Sequence, residues 1–285
     1  MTGTLEGRPW FAGRVRCWQH RIPRFEKTLM CRVCTPSLTL NQQSTKTQPQ
    51  DAAQAQGAAQ AQGAAVYNRA VLAAYDAFVV GFSNSLAWKC PSRLLVEFYN
   101  ENVSAEHLDV GVGTGYFLDK CRFPVSSPRL TLVDLNPNCL RATARRVRRH
   151  HPSYDLAGIH WANALGPLDL GEAKFGSIGV NYVLHCLPGE LSSGDQASKS
   201  AVFRNLRPWL RAGGVLFGAT ILGAGVEHGF LARKLMDVYN AKGIFSNRSD
   251  SAEGLRAALG QHFEEASLRV VGCVALFSAR GSGPE

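Results

Sequence analysis

The sequence predicts an α/β fold built on a mostly parallel sheet. Three observations predict it. Short apolar runs alternate with helical ones from about residue 107, a glycine turn joins the first strand to a helix, and the chain closes on two adjacent strands with almost nothing between them.

Each element follows from local chemistry. Residues 66–80 have helical spacing, with Val71, Tyr75, Phe78 and Val79 near one face. Pro91 and Ser92 open a second helix through Leu94, Leu95, Phe98 and Tyr99. The strands are expected at 107–111, 129–135, around 155–161, 177–184 and 214–222. Helices are expected at 137–149, about 197–210, 228–241 and 250–260. Asn136 is suited to cap the first of these, with Pro137 at the first helical position, where its missing N–H costs nothing. The last two runs, 267–272 and 273–280, predict an antiparallel hairpin.

Composition narrows the classes. The chain has 285 residues, of which 45% are hydrophobic and 19% charged, enough for one large domain or two small ones. It has no run of 18 apolar residues, which excludes a membrane-spanning helix, and no secretory signal pattern. Eight cysteines are scattered at 17, 31, 34, 90, 121, 139, 186 and 273, too sparse for a disulfide scaffold. They point to a reducing, cytoplasmic setting, with mitochondrial targeting by the basic N-terminus as the weaker alternative.

The net charge of +9 is uneven. Residues 1–50 hold eight Lys and Arg against two acids, a balance of +6, so the remainder carries only +3. The basic excess therefore lies largely outside the folded part and is a poor argument for nucleic acid. Residues 35–65 are almost free of large apolar groups and repeat AQAQG at 53–57 and 59–63. We expect a basic, low-complexity and disordered tail at 1–65 and a folded domain at 66–285, with a helical lid at 66–100.

The strongest chemical signal is Asp109-Val110-Gly111-Val112-Gly113-Thr114-Gly115, leaving a strand and entering a helix. Glycine lets the backbone turn sharply and approach a ligand. Asp134 lies 19 residues after Gly115, at the end of the second strand, where a carboxylate can accept both hydroxyl hydrogens of a ribose. The third glycine comes one residue too early for the dinucleotide fingerprint. The aspartate that opens the turn disfavours a phosphate and suits a ligand bearing an amine.

Four stretches carry a family resemblance: HLDVGVGTGYF, LTLVDLNPNCL, FGSIGVNYVLHCLPG and LRPWLRAGGVLFGATIL. Together they resemble the class I S-adenosylmethionine-dependent methyltransferases over about residues 70–280, and among them the small-molecule methyltransferases of fungal secondary metabolism. The resemblance implies a Rossmann-like methyltransferase fold, a seven-stranded sheet of order 3-2-1-4-5-7-6 with helices on both faces. It implies S-adenosylmethionine as cofactor, with Asp109, Gly111, Gly113 and Gly115 toward its methionine part. Asp134 would hold the ribose and Leu135 the adenine. Asn163 matches the position that commonly contacts the adenine amine, although the family often has an acid there. Asn181 and Tyr182 would lie beneath the cofactor, and Tyr67 belongs to the lid. Gly176 replaces an acid that often begins strand four.

Methyl transfer from a sulfonium needs alignment and exclusion of water more than covalent help. A base is needed only when the acceptor keeps its proton. His185, just past strand four, is the candidate, against two blander roles: substrate contact without proton transfer, and orientation of the loop at Pro188–Gly189. Tyr67, Tyr75, Phe82 and Trp88 are lid candidates, against ordinary helix packing. Phe230, Met236, Tyr239, Asn240, Phe245 and Asn247 lie where substrate pockets are often completed.

Three signals are set aside. Cys17, His20, Cys31 and Cys34 have a metal-like spacing but no apolar core around them, so no metal is expected. Arg141, Arg145, Arg148 and Arg149 share a helical face with Arg146 nearby, and a solvated surface explains them better than phosphate binding. Cys186 has no orienting acid in evidence, so a thiol hydrolase is a poor reading. The expectation is a methyltransferase acting on O, N or S of a small molecule, with no nucleic acid partner and either a monomer or a homodimer. The alternatives are a nicotinamide-dependent oxidoreductase and a non-catalytic cofactor-binding protein.

Overall fold

The computed structural model describes residues 84–191 and 198–281. The tail, the segment at 66–80, Tyr67, Tyr75, Phe78, Phe82 and the Cys17–Cys34 group lie outside the described residues.

Seven strands form one sheet of order β3-β2-β1-β4-β5-β7-β6. They are β1 (Glu106–Val110), β2 (Arg129–Asp134), β3 (Asp155–Trp161), β4 (Phe175–Asn181), β5 (Leu210–Ile221), β6 (Glu265–Val271) and β7 (Val274–Arg280). The first five pair in parallel; β7 pairs antiparallel with both β5 and β6. The helices are α1 (Ser92–Asn102), α2 (Tyr116–Lys120), α3 (Pro137–His150), α4 (Ala201–Leu206), α5 (Phe230–Ala241) and α6 (Ala252–Gly260), and a single helical turn (Asn84–Leu86) precedes them.

The sheet is buried on both faces because its strands alternate two apolar sets. Leu108, Val110, Ile178, Val180 and Leu216 join Phe203, Leu206 and Phe277 in one cluster. Phe217 joins Tyr99, Leu118 and Val147 in another. Phe217 and Phe277 are both fully buried. Truncating either to alanine would cost about 3–5 kcal/mol. At the sheet edge, β3 alternates exposed and half-buried residues, and Ile159 and Trp161 face solvent.

Several boundaries move for identifiable reasons. Pro91 is the cap of α1 and Ser92 its first residue, one position later than expected. The expected helix at 197–210 is shorter: α4 ends at Leu206, and Pro208 sits in a 3-10 turn (Arg207–Trp209). β5 then begins at Leu210, and a register shift opposite Phe175/Ser177 absorbs Gly213, whose φ is +69°. β4 starts at Phe175 and stops at Asn181, because Tyr182 takes φ +58° and turns the chain into the 3-10 helix Leu184–Cys186. The cap of α3 is as read: Asn136 Oδ1 accepts from the Asn138 N–H at 2.8 Å, with Pro137 opening the helix.

Candidate active site

The C-terminal ends of β1, β2 and β4 meet at one crevice. Adjacent parallel strands in the order β2-β1-β4 leave their carboxyl ends side by side, where helices on the two faces diverge. The glycine turn crosses this crevice. Gly111 and Gly113 have φ of +71° and +53°, conformations that a side chain resists. A Cβ on Gly111 would collide with Val183 Cγ2. A Cβ on Gly113 would meet no protein atom within 4 Å, so conformation alone requires glycine there. Gly115 caps α2. A Cβ on it would come within 2.9 Å of Thr143 Cγ2 on α3, so it permits close packing of the two helices.

Asp134 closes the turn from the next strand. Its Oδ2 accepts from the Gly113 N–H at 3.3 Å and its Oδ1 from the Asn136 N–H at 2.7 Å. Burial pushes this carboxyl up to about 6, although the N–H groups of Asn136, Gly113 and Val112 oppose the shift. Leu135 is half-buried, and its carbonyl accepts the Trp161 indole N–H at 2.8 Å. Asn163 lies just past β3, with its Oδ1 accepting the Leu165 N–H at 2.9 Å in a local turn.

At the end of β4, Asn181 is only 7% exposed. Among the described residues its Nδ2 is a buried side-chain nitrogen without a hydrogen-bond partner. An unmet buried donor costs about 1–3 kcal/mol and marks a place where a ligand acceptor is expected. Tyr182 donates its hydroxyl to Asn84 Oδ1 at 3.1 Å, and Asn84 in turn donates to Ser92 Oγ at 3.0 Å. Its ring stacks on Phe117, which stacks on Tyr99. An aromatic wall thus flanks the turn.

Asp109 is 6% exposed on β1 and belongs to a buried polar chain. The Tyr99 hydroxyl donates to Asp109 Oδ1 at 3.3 Å and lies 2.7 Å from His107 Nε2. His107 Nδ1 lies 2.8 Å from Ser177 Oγ, which accepts the Ser104 N–H at 2.8 Å. Burial drives Asp109 up to about 8, with Tyr99 opposing and Asp134 adding to the shift. Burial drives His107 down to about 3, so its ring is neutral.

His185 sits in the 3-10 turn after β4 and is 3% exposed. Its Nδ1 accepts from the Ile221 N–H and lies against Thr220 Oγ1, both at 3.3 Å. Its ring meets Phe245 edge-on at 4.5 Å. Burial, with Lys199 adding to it, pushes His185 down to about 3. With Nδ1 accepting from the Ile221 N–H, the neutral ring carries its proton on Nε2.

A profile of the family described as "Methyltransferase domain" matches residues 108–216, from within β1 to the middle of β5. A demethylluteothin O-methyltransferase of Streptomyces thioluteus is 39% identical over 75% of this chain and 88% of its own length. Methyltransferase ctvB of Aspergillus terreus is 41% identical over 75% of this chain and 92% of its own. The chain is an S-adenosylmethionine-dependent methyltransferase. Among solved structures, a DhpI–SAH complex superposes with a TM-score of 0.54 at 16% identity, covering 79% of this chain and 98% of that one. That likeness shows the shared fold.

The methyltransferase's crevice fits its cofactor on its own chemistry. It combines a carboxylate at the end of β2, a turn with no room for a Cβ at Gly111, and an unmet donor at Asn181. Family membership and the antiparallel β7 argue against the nicotinamide reading. No helix among the described residues is long and apolar enough to cross a membrane, and none of their His, Cys, Asp and Glu residues group as a metal site.

Other sequence candidates land elsewhere. Trp88 is 1% exposed and packed on Phe245; its carbonyl accepts the Cys273 N–H. It is a core residue, which corrects its placement among the lid candidates. Phe230 is exposed, Met236 is buried, and Tyr239 packs on Phe245. Asn240 and Asn247 bond each other at 3.1 Å, and Asn247 also donates to the Ile221 carbonyl at 2.9 Å. Arg146 is tied to the Thr114 carbonyl and Asp119, whereas Arg141, Arg145, Arg148 and Arg149 are exposed. Tyr99, His107, Phe117 and Ser177 were missed. The alternation of a strand places His107 and Asp109 on one face, a signal that the sequence does contain.

Proposed function

We propose that this methyltransferase transfers the methyl group to an oxygen of a small molecule, an acidic hydroxyl such as a phenol. The observation that carries this reading is the convergence of Asp109, Asp134 and unmet Asn181 on the glycine turn, at a site where no described group is poised as a strong base. The relatives named O-methyltransferases support the choice of oxygen.

In this reading Asp134 holds the ribose hydroxyls, Leu135 and Asn163 flank the adenine, and Asp109 accepts from the ammonium of the methionine end. Asn181 donates its free N–H to the bound ligand. Tyr182, with Phe117 and Tyr99 behind it, excludes water beside the sulfonium and offers a π-face to its charge. When bound, S-adenosylmethionine supplies an activated methyl, so the chain's residues need only align and shield. His185 orients the turn after β4 and does not take the acceptor's proton. The acceptor therefore ionises on its own, and turnover rises with pH through the acceptor's own pKa.

The test incubates the full chain with S-adenosylmethionine and a panel of phenols, carboxylic acids and amines, and scores methylated products by mass spectrometry. Methyl ethers from the phenols support the reading. Methylated amines alone would overturn the choice of oxygen. Binding of S-adenosylhomocysteine without any product would favour a non-catalytic role.

A further inference from the structure

The chain Ser177–His107–Tyr99 ends on Asp109, and all three residues are fully buried. Its geometry permits two complete hydrogen-bond directions. With Asp109 ionised, Ser177 Oγ–H donates to His107 Nδ1, His107 Nε2–H donates to Tyr99 Oη, and Tyr99 O–H donates to Asp109. With Asp109 protonated, every bond reverses. Asp109 O–H donates to Tyr99, Tyr99 to His107 Nε2, His107 Nδ1–H to Ser177, and Ser177 to Ser104 Oγ at 2.9 Å. Ser104 Oγ donates to the Glu106 carbonyl at 2.8 Å, so the end of the chain is satisfied in either state. A buried chain with no orphan in either direction stabilises both charge states of its terminal acid.

We infer that Tyr99, His107 and Ser177 are positioning residues that aim Asp109 at the cofactor's ammonium and let it shed a proton as that ammonium docks. This inference rests on the reading that Asp109 meets the methionine end. The step balances: the Asp109 O–H bond breaks, its proton leaves to solvent, and the carboxylate accepts an N–H of the ammonium. The His107 tautomer switches from Nδ1–H to Nε2–H without the ring gaining charge.

The groups facing Asp109 permit this assignment. From α1 comes Tyr99, whose phenol burial keeps well above its ordinary range. From its own strand comes neutral His107, 4.0 Å away. Beyond α2 lies Cys121, whose thiol burial raises. From β2 comes Asp134, and β4 contributes uncharged Ser177 and Gly179. No cation among the described residues faces the carboxyl, so the ligand's ammonium supplies the missing charge. Asp109 itself, raised to about 8, is mostly protonated at pH 7 until that charge arrives.

The experiment is calorimetric titration of the full chain with S-adenosylhomocysteine in two buffers of different ionisation enthalpy, at pH 7 and at pH 9.5. The inference predicts release of nearly one proton at pH 7 and no release at pH 9.5, where Asp109 is already ionised and the ligand's own amine instead takes up a proton to dock. Asp109→Asn should abolish the release. Tyr99→Phe should move the pH at which affinity levels off upward by about one unit, having lost a donor to the charged form. Ser177→Ala, remote from the crevice, leaves the His107 Nδ1–H of the protonated state without its acceptor, so it should move that pH the opposite way, and it guards against a misfolded Tyr99→Phe. The ¹⁵N shifts of the His107 ring, identified with His107→Gln, should report the tautomer switch on binding. Tight binding at pH 7 with no proton released, or unmoved pH profiles in folded Tyr99→Phe and Ser177→Ala, would overturn the inference while leaving the cofactor reading intact. No binding at any pH would overturn both.

Discussion

Two buried histidines flank the same crevice, and they differ in what they are wired to. His107 lies in β1 in a neutral hydrogen-bonded chain that ends on Asp109. His185 lies beyond β4 with its Nδ1 occupied by β5, near a fully buried ion pair of Lys199 with Asp250 at 2.9 Å. Burial drives both rings to about 3. The first environment can reverse its hydrogen bonds and pass on a change of charge. The second is pinned: Lys199 also bonds the Ser246 carbonyl, and Asp250 accepts the Gly223 and Ala224 N–H groups through its backbone. Adjacency to the site in sequence thus says less about a histidine's role than the partners of its two nitrogens.

The largest expected effect breaks the pinned side. Lys199→Met leaves Asp250 buried without its partner and should lower stability by about 3–5 kcal/mol in denaturant titration. The double variant Lys199→Met with Asp250→Leu should recover much of that loss.

Next comes the wired side. Asp109→Asn should weaken S-adenosylhomocysteine roughly 100-fold at pH 9, where the native carboxyl is charged. The penalty should shrink to a few-fold at pH 6, where Asp109, raised to about 8, already carries its proton. A penalty independent of pH would erase the distinction between the two regions.

A smaller effect is expected at His185. His185→Gln should lower kcat less than about tenfold and leave the pH profile in place, because a general base typically contributes 100-fold or more. A loss of that size, with a displaced acid limb, would return His185 to catalysis.

The smallest effect is on unliganded stability. Asp109 binds its proton more tightly folded than unfolded, so folding loses free energy as pH rises between about 4 and 8. The two histidines act oppositely but only below 6.5, where the unfolded state is the better proton binder. From pH 7 to 8.5, therefore, the melting temperature should fall in the native protein and fall less in Asp109→Asn, where only the buried thiols still contribute.

Most of the fold was legible because its signals are local. Strand alternation, the glycine turn, the Asn136–Pro137 cap and the closing hairpin each act within a few residues. Strand ends were less legible where a single backbone conformation decides them, as at Tyr182 and Gly213. In the site, the convergence of Asp109, Asp134 and Asn181 followed from motif order and sheet order together. The support behind Asp109 did not: Tyr99 comes from α1 and Ser177 from β4, and only the packing of that helix on the sheet joins them. Trp88 was open between lid and core because aromatic residues before the turn serve both; here the hairpin at Cys273 claims it for the core.

The central claim is that the crevice at the ends of β1, β2 and β4 binds S-adenosylmethionine through Asp134. The most direct measurement is calorimetric titration of the native protein and Asp134→Ala with S-adenosylhomocysteine at pH 8. The account predicts saturable one-to-one binding that weakens at least about tenfold in the variant, the equivalent of about 1.4 kcal/mol. Equal affinity in a folded Asp134→Ala protein would contradict it.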